Sequence, residues 1–420
     1  MEIYDHVREA AEKGFRIMQK YNFLYLQMYM RTGKTNTSLL VCEKMGFKKV
    51  LLVTPANAKK DFLEAAAGFD IDIDAISWDS LHKVETGDIF DAVIVDEVHK
   101  INSNPRPKPS RRANEMRRIC RNLPAILLSG TPTPEGLGQY YRQLNFTKYA
   151  PFYNVKFRDW VQEYVKIKTI RTSMGYDIKD YKNGISEKIL PITQKYAVTV
   201  TQEQAEFIHS GTELSIKQVK MNNLIYRYLK EFRKNDVVIR DVDGVRLKAS
   251  LKDTMSKRQK MRQLCGGGLI FENEFRERVN IILDYSKIIK IVHDTQQFSK
   301  VFIVYNFVFE REILENYLAH DVTFDVEEFR NTDVKYFAGN TKAVCEGINL
   351  SNADLTVMYS VQDSAKDHLQ IIERIKHRDR EKIPKLWVYL TQGGIDNDIF
   401  DTVHNKKRNF TNIHYRNIYE

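Results

Sequence analysis

The sequence predicts an α/β protein made of two parallel-sheet lobes in tandem, with a helical and β-hairpin insertion between them. Three observations carry this expectation. Short, wholly apolar runs ending in polar turns recur in both outer thirds of the chain, as strands buried on both faces of a parallel sheet do. Helix-forming stretches alternate with those runs. The length of 420 residues exceeds what one hydrophobic core usually organises. The expected boundaries are 1–150 for the first lobe, 151–275 for the connecting region and 276–420 for the second lobe.

In the first lobe, Leu24–Met28 reads as a strand leading into Met30-Arg31-Thr32-Gly33-Lys34-Thr35, and Asn36–Lys44 as a helix after it. A glycine lets backbone turn tightly around an anion, a lysine places a point charge on phosphates, and a threonine hydroxyl can ligate Mg²⁺. A following helix adds free N–H groups and a favourable dipole. The match is to the second half of a phosphate-binding loop, because Met28 stands where the full pattern has its first glycine. Val50–Val53 is the next buried strand, stopped by Thr54-Pro55, with helix-like sequence from Asn57 to Ala66. Ala92–Val95 ends in Asp96-Glu97, and Ala125–Leu128 ends in Ser129-Gly130-Thr131-Pro132. Each polar cluster thus stands at the carboxyl end of a strand, where open α/β sheets bind ligands. A carboxylate there can hold Mg²⁺, and the adjacent glutamate can orient and deprotonate an attacking water.

Between those last two strands, Asn104–Arg121 carries Pro105, Pro107 and Pro109 and seven basic residues, among them Arg111 and Arg112. The prolines predict an exposed, extended loop, either a phosphate-contacting arm or a solvated surface segment. In the middle region, Phe157–Lys168 and Thr201–Arg233 read as helices. Asn235–Leu251 reads as a hairpin turning across Asp241-Val242-Asp243-Gly244. Gly266-Gly267-Gly268 reads as a flexible break. The βα alternation then returns with strands at Val301–Tyr305, Leu355–Tyr359 and Leu386–Leu390, and a helix at Phe309–Leu318.

The bulk properties narrow the class. No apolar run approaches the roughly 18 residues of a membrane helix, and Met1–Lys13, with three Glu and one Asp, lacks the apolar segment of a signal peptide. Cys42, Cys120, Cys265 and Cys345 form no CxxC pair and read as reduced thiols, neither zinc ligands nor disulfides. The net charge of +10 favours a polyanionic partner, nucleic acid first.

Together the ordered motifs resemble those of superfamily-two helicases and translocases, nearest the chromatin-remodeller-like (Swi/Snf-type) branch and its short phage-type relatives. Met30–Thr35 resembles motif I, the Walker A loop. Val53-Thr54-Pro55-Ala56 resembles motif Ia, Asp96-Glu97-Val98-His99 a DEAH-like box, and Leu128–Thr133 motif III. Val304-Tyr305-Asn306-Phe307 resembles motif IV, Glu346–Ser351 motif V, and Gln370–Arg374 with His377-Arg378 motif VI. The series runs from about Met28 to Arg380. The chain departs from the pattern at Tyr29, where relatives often have an acidic residue, and carries no clear adenine-reading motif, for which Gln27 is the candidate. From Arg374 to the next arginine the spacing is one residue longer than in the family, so Arg378 or His377 takes the second slot.

The resemblance implies two RecA-like lobes and an ATP-dependent DNA translocase or helicase using Mg²⁺ and acting without sequence preference on duplex, forked or branched DNA. It implies ATP held by Arg31, Thr32, Gly33, Lys34, Thr35, Gln27 and Gly347, and Mg²⁺ held through Thr35 and Asp96. Glu97 and Lys34 act in catalysis with Arg374 and Arg378 as arginine fingers from the second lobe, and Ser129 and Thr131 couple nucleotide to closure. Nucleic acid is expected at Thr54, Pro55, Ala56, Arg111, Arg112, Thr341 and Lys342. A monomer in the cytoplasm, or in the host cytoplasm for a phage-encoded chain, completes the expectation. An RNA-directed helicase and a non-motor nucleic-acid-binding scaffold are the alternatives.

Overall fold

The computed structural model describes residues 3–85, 89–102, 105–134, 136–171, 176–205, 211–235, 237–242, 245–251, 253–345, 353–376, 382–406 and 409. They form two compact units, Met1–Phe207 and Ile208–Glu420.

The first unit begins with α1 (Asp5–Tyr21), a helix that the sequence reading did not include, and continues through β1 (Phe23–Leu26), α2 (Lys34–Met45), β2 (Lys49–Thr54), α3 (Lys59–Ala66) and β3 (Asp72–Ser77). Next come β4 (Ala92–Val95), α4 (Arg111–Cys120), β5 (Ala125–Leu128), α5 (Tyr140–Gln143), α6 (Phe157–Tyr164), β6 (Lys168–Arg171), β7 (Asp177–Asp180), α7 (Ser186–Gln194) and β8 (Ala197–Val198). Six strands form one parallel sheet in the order β3-β2-β4-β5-β1-β8. Successive residues of a strand point to opposite faces, so Tyr25, Val53, Val95 and Leu127 enter one core. Their neighbours Leu24, Leu52, Ile94 and Ile126 enter the other. Burial on both faces explains why these strands are apolar throughout.

The second unit contains β9 (Glu213–Val219), α8 (Asn223–Lys234), β10 (Val237–Val242), β11 (Val245–Ser250), α9 (Thr254–Cys265), β12 (Gly268–Glu272) and β13 (Arg278–Ile282). It continues with α10 (Ser286–Asp294), β14 (Val301–Tyr305), α11 (Val308–Leu318), β15 (Val322–Thr323), α12 (Val326–Asn331), β16 (Tyr336–Asn340), α13 (Thr341–Cys345), β17 (Leu355–Met358), α14 (Ala365–Arg374), β18 (Lys385–Thr391) and α15 (Asp396–Phe400). Its six-stranded parallel sheet has the order β15-β16-β14-β17-β18-β9, and β10-β11-β12-β13 form a separate four-stranded antiparallel sheet. The expected pair of RecA-like α/β lobes is therefore present. Among the described residues no helix is long and apolar enough to cross a membrane.

The connecting region is where the expectations fail. Thr201–Arg233 is not one helix: β9 pairs in parallel with all seven residues of β18, and among the described residues of the stretch the helix is Asn223–Lys234. An edge strand keeps polar residues on its open side, so its apolar pattern is too sparse to separate from a surface helix. The helix expected over Phe157–Lys168 ends at Tyr164, and Lys168–Arg171 pairs with Asp177–Asp180 instead. Thus the stretch 151–275 supplies β8 to one sheet and β9 to the other. The hairpin exists, with Val242 opposite Val245. It is a member of the antiparallel sheet, and Val238, Leu247 and Ala249 are buried in the second unit's core.

Gly266-Gly267-Gly268 is buried packing and not a loose break. It joins α9 to β12 beneath α11. Gly267 has φ of +91°, and a Cβ there would lie 2.5 Å from the Asp284 carbonyl oxygen. A side chain on Gly268 would collide with the Phe309 ring. Gly267→Ala therefore combines backbone strain with a steric clash against main chain. It is expected to cost about 2 kcal/mol or more, read as a lower urea midpoint for the second unit. An unchanged midpoint would restore the flexible reading.

Candidate functional site

The strand order assembles the candidate site. β4 ends in Asp96-Glu97, its neighbour β2 ends in Thr54, its other neighbour β5 ends in Ser129, and β1 beyond β5 leads to the glycine loop. Carboxyl ends of adjacent parallel strands lie side by side, so residues about 20 to 100 positions apart are brought to one sheet edge.

The loop has the backbone that its residues predict. Gly33 precedes the first residue of α2 with φ of +84°, and Arg31 also has a positive φ of 62°. A Cβ on Gly33 would lie 2.5 Å from Val7 of α1, so that helix closes one side of the loop. Thr32 is fully buried and its hydroxyl donates to the Tyr29 carbonyl (2.7 Å), while Thr37 donates to that of Gly33 (2.9 Å). The Lys34 ammonium donates to the carbonyls of Met28 (3.1 Å) and Tyr29 (3.0 Å). Thr35 stands in the first turn of α2. Gly130 abuts this loop: a Cβ there would meet Met30 at 3.3 Å and the Lys34 nitrogen at 3.5 Å.

Asp96 is held at both oxygens. Thr54 donates its hydroxyl to Oδ2 (2.9 Å), and the Glu97 amide donates to Oδ1 (2.9 Å). The Trp78 indole donates to the Asp96 carbonyl (3.1 Å). Burial, then the adjacent Glu97 charge, raises the Asp96 pKa to about 6, while Thr54 and the charge on Lys34 pull the other way. Glu97 takes a left-handed backbone, with φ of 48°, and begins the short turn Val98–Ile101. Non-glycine residues in that region carry strain that persists where function requires it. His99 Nδ1 lies 3.2 Å from the Glu97 carboxylate and 3.3 Å from the Ser129 hydroxyl. The Thr131 amide donates to the same hydroxyl (3.2 Å). Glu97, His99, Ser129 and Thr131 are therefore one connected group.

Of the residues expected at the nucleotide, the structure gathers Arg31, Thr32, Gly33, Lys34, Thr35, Asp96, Glu97, Ser129 and Thr131 at this edge. Gln27 donates its amide to the Tyr140 hydroxyl (3.1 Å), on a wall where Tyr25 donates to Gln143 (2.6 Å) and Gln143 to the Pro132 carbonyl (2.7 Å). Gly347, Arg378, His377 and the rest of motif V lie outside the described residues. Arg374 is the last residue of α14 and is half-buried, beside an ion pair of Glu373 with Lys376 (2.6 Å).

Two side chains expected at the nucleic acid are turned inward. Thr54 is fully buried with its hydroxyl on Asp96. Thr341 is 3% exposed, and its hydroxyl donates to the Tyr305 carbonyl (3.2 Å) and pairs with Gln362. Neither side chain reaches a surface: Thr54 is the last residue of β2, Thr341 is the first of α13 directly after β16, and each bonds a neighbour there. Pro55 is buried as well, whereas Ala56 and Lys342 are exposed. The basic stretch is extended only before Ser110, whose hydroxyl caps α4 by accepting from the Ala113 amide. Arg112 in α4 pairs with Asp79 (2.5 Å), and Arg111 is exposed. The sequence reading missed His99, Trp78, Tyr25, Tyr140 and Gln143 as partners. His99 had a local signal, two residues after the carboxylate pair. The others act across 18 or more positions, as Trp78 does on Asp96, and nothing local marks them.

The donor set fits Mg²⁺ in one specific way. No group of three or more His, Cys, Asp and Glu able to hold a metal occurs among the described residues. One carboxylate and one hydroxyl, beside a lysine, suit a cation that brings phosphate oxygens and waters as its other ligands. The raised Asp96 carboxyl, pressed against Glu97, is the group such a charge would relieve.

A carboxyl with a folded pKa above its ordinary 3.8 holds its proton more readily in the folded state. It weakens folding above about pH 6, and the penalty disappears below pH 3.8. Asp96→Asn keeps the shape, and the Thr54 hydroxyl can turn to accept from the amide. The variant is expected to be more stable than wild type at pH 7.5 by on the order of 1–2 kcal/mol. That advantage should vanish at pH 4, as thermal melts at the two pH values would show. A variant less stable at both would contradict the electrostatic account.

No protein-family model matches the chain, and no curated protein matches its sequence. Among solved structures, the Sulfolobus solfataricus SWI2/SNF2 ATPase core in complex with dsDNA aligns at 16% identity. It covers 94% of this chain and 90% of that one, with a TM-score of 0.39. The Sulfolobus solfataricus SWI2/SNF2 ATPase core domain aligns at 16% identity over 97% of this chain and 90% of that one, with a TM-score of 0.38. The functional assignment rests on the chain's own residues.

Proposed function

We propose that the chain is an ATP-dependent nucleic-acid translocase of the superfamily-two type, acting on duplex, forked or branched DNA without reading its sequence. The single observation that carries this reading is the convergence at one sheet edge of a glycine-lysine-threonine loop, a strand-end Asp-Glu pair and the Ser129-Gly130-Thr131 turn. Phosphoryl transfer asks a protein for positioning and charge far more than for covalent chemistry. In this reading Lys34 exchanges its loop carbonyls for the β- and γ-phosphates, and the N–H groups from Arg31 to Thr35 cradle them. Thr35 and Asp96 hold Mg²⁺. When bound, Mg²⁺ supplies positive charge shared between phosphate oxygens.

Glu97 orients the attacking water and accepts its proton. His99 holds Glu97 and, through Ser129, ties its position to Thr131, so the turn after β5 senses the state of the nucleotide site. Arg374 is assigned as the stabiliser of γ-phosphate charge on the motif alone, with Arg378 or His377 as the second group. In related systems such an arginine is worth about 10³–10⁵ in rate. Ala56, Lys342, Arg111 and Arg112 contact the phosphate backbone, which positions a nucleic acid without reading its bases. The chain acts as a monomer. An RNA-directed motor would share this machinery and differ only in which polymer stimulates it.

Lys34→Ala should abolish ATP turnover while leaving DNA affinity within about threefold, because the lysine is placed on the nucleotide and not on the polymer. Arg374→Ala should lower kcat by about 10³-fold or more with ATP binding retained. Steady-state hydrolysis and fluorescence anisotropy with labelled DNA check both. Full turnover in the Lys34 variant would contradict the placement of Lys34 on the nucleotide, whereas lost turnover with unchanged function would favour a scaffold over a motor.

A further inference from the structure

The first unit carries a second cationic feature, separate from the lysine loop. A cavity of about 530 Å³ opens between the turn Val98–Ile101 and the N-terminus of α4. Its lining holds the cationic residues Lys100, Arg106, Lys108, Arg111 and Arg112 and no carboxylate. Asp79 outside the lining pairs with Arg112 and offsets part of this charge; the remaining clustered cations repel one another, and an anion relieves that repulsion. Its walls are fixed. The half-stacked Arg142 guanidinium, over Tyr141, donates to the carbonyls of Arg106 (3.1 Å) and Pro107 (2.9 Å). Ser110 donates to the Ile101 carbonyl (2.7 Å), and Arg112 to that of Lys100 (3.4 Å). Three prolines restrict the same segment. The basic side chains are thus presented from a preorganised frame.

Asn102 is the second observation. It lines this cavity, is only 8% exposed, and its Nδ2 has no hydrogen-bond partner among the described residues. A buried amide donor without an acceptor costs roughly 1–3 kcal/mol. A donor among cations, with free N–H groups of a ten-residue helix opening beside it, is matched by an acceptor-only anion such as a phosphate diester.

We infer that this cavity binds a phosphate group of a polynucleotide backbone. Asn102 donates to a phosphate oxygen, and Arg106, Lys108 and Arg111 supply the charge. The inference builds on the translocase reading and adds to it a specific polymer contact. The frame is also continuous with the catalytic edge: Asn102 follows directly on the turn that Glu97 begins. A phosphate held here braces that turn.

The test uses the whole chain and a mixed-sequence 30-base-pair duplex, with Kd measured by anisotropy between 50 and 200 mM salt. Each phosphate contact adds about 0.9 to the slope of log K against log salt. The triple variant Arg106→Ala, Lys108→Ala, Arg111→Ala should lower that slope by about 2–3 and weaken binding by about 10–100-fold at 100 mM salt. Asn102→Asp, which keeps every cation and the side-chain shape, should weaken binding about tenfold. A control triple on α1, Lys13→Ala, Arg16→Ala and Lys20→Ala, removes the same charge elsewhere and should leave the slope nearly unchanged. Circular dichroism melts confirm that each variant folds.

The inference is overturned if the cavity variants keep the wild-type slope, or if the control triple loses as much as they do. It is overturned equally if inorganic phosphate binds the wild-type cavity in calorimetry while the duplex ignores it. ATP hydrolysis measured in parallel separates this from the motor assignment. A chain that binds duplex through the cavity yet never hydrolyses ATP keeps the inference and loses the motor. A chain with DNA-stimulated hydrolysis and an unaltered slope does the reverse.

Discussion

The crowding of two adjacent, half-buried carboxylates at the end of β4 is the constraint on which the site depends. Asp96 and Glu97 repel each other where solvent screens them only in part, and specific partners offset that repulsion. Thr54 on one neighbouring strand and Ser129, through His99, on the other supply them. Lys34 adds charge from the loop after β1. Each partner lies where it does because of the order β2-β4-β5-β1, so the sheet topology and the electrostatics of the site are one arrangement. The strained backbone at Arg31 and Glu97 gathers at the same edge. Backbone strain of this kind commonly gathers at functional sites.

Much of this edge was legible in the residues. The apolar strands declare themselves because burial on both faces leaves no polar alternation, and the polar clusters that end them mark the ligand edge. Gly33, Lys34, Asp96 and Glu97 follow from chemistry that has few substitutes. The failures have a common cause. Thr54 and Thr341 look like phosphate contacts in a linear motif, but a threonine at or just past the end of a buried strand can as well satisfy a neighbouring carboxylate or carbonyl. Only the fold says which. Gly266-Gly267-Gly268 carries the composition of a loose link, yet Asp284 and Phe309 press on it from the other side of the unit. β9 reads as a helix until its pairing with β18 is known, because edge strands owe their structure to a partner far away in sequence.

The excess of positive charge acquires an address in the same way. A net charge of +10 says only that an anionic partner is favoured. Folding converts part of the proline-rich basic stretch into α4 and anchors the remainder through Arg142, so that cations spaced along the sequence share one cavity. Glu97 and Asn102 bracket a single short turn between the carboxylate edge and that cavity. The proposed nucleotide site and the proposed polymer contact would thereby be joined within five residues of the chain.

The most direct measurement is ATP turnover by the pure protein without polymer and with single-stranded, duplex, forked and four-way DNA and with RNA, all at one stated salt concentration. The account predicts that hydrolysis is slow alone and rises at least tenfold with duplex or branched DNA. Turnover that no nucleic acid changes would contradict it.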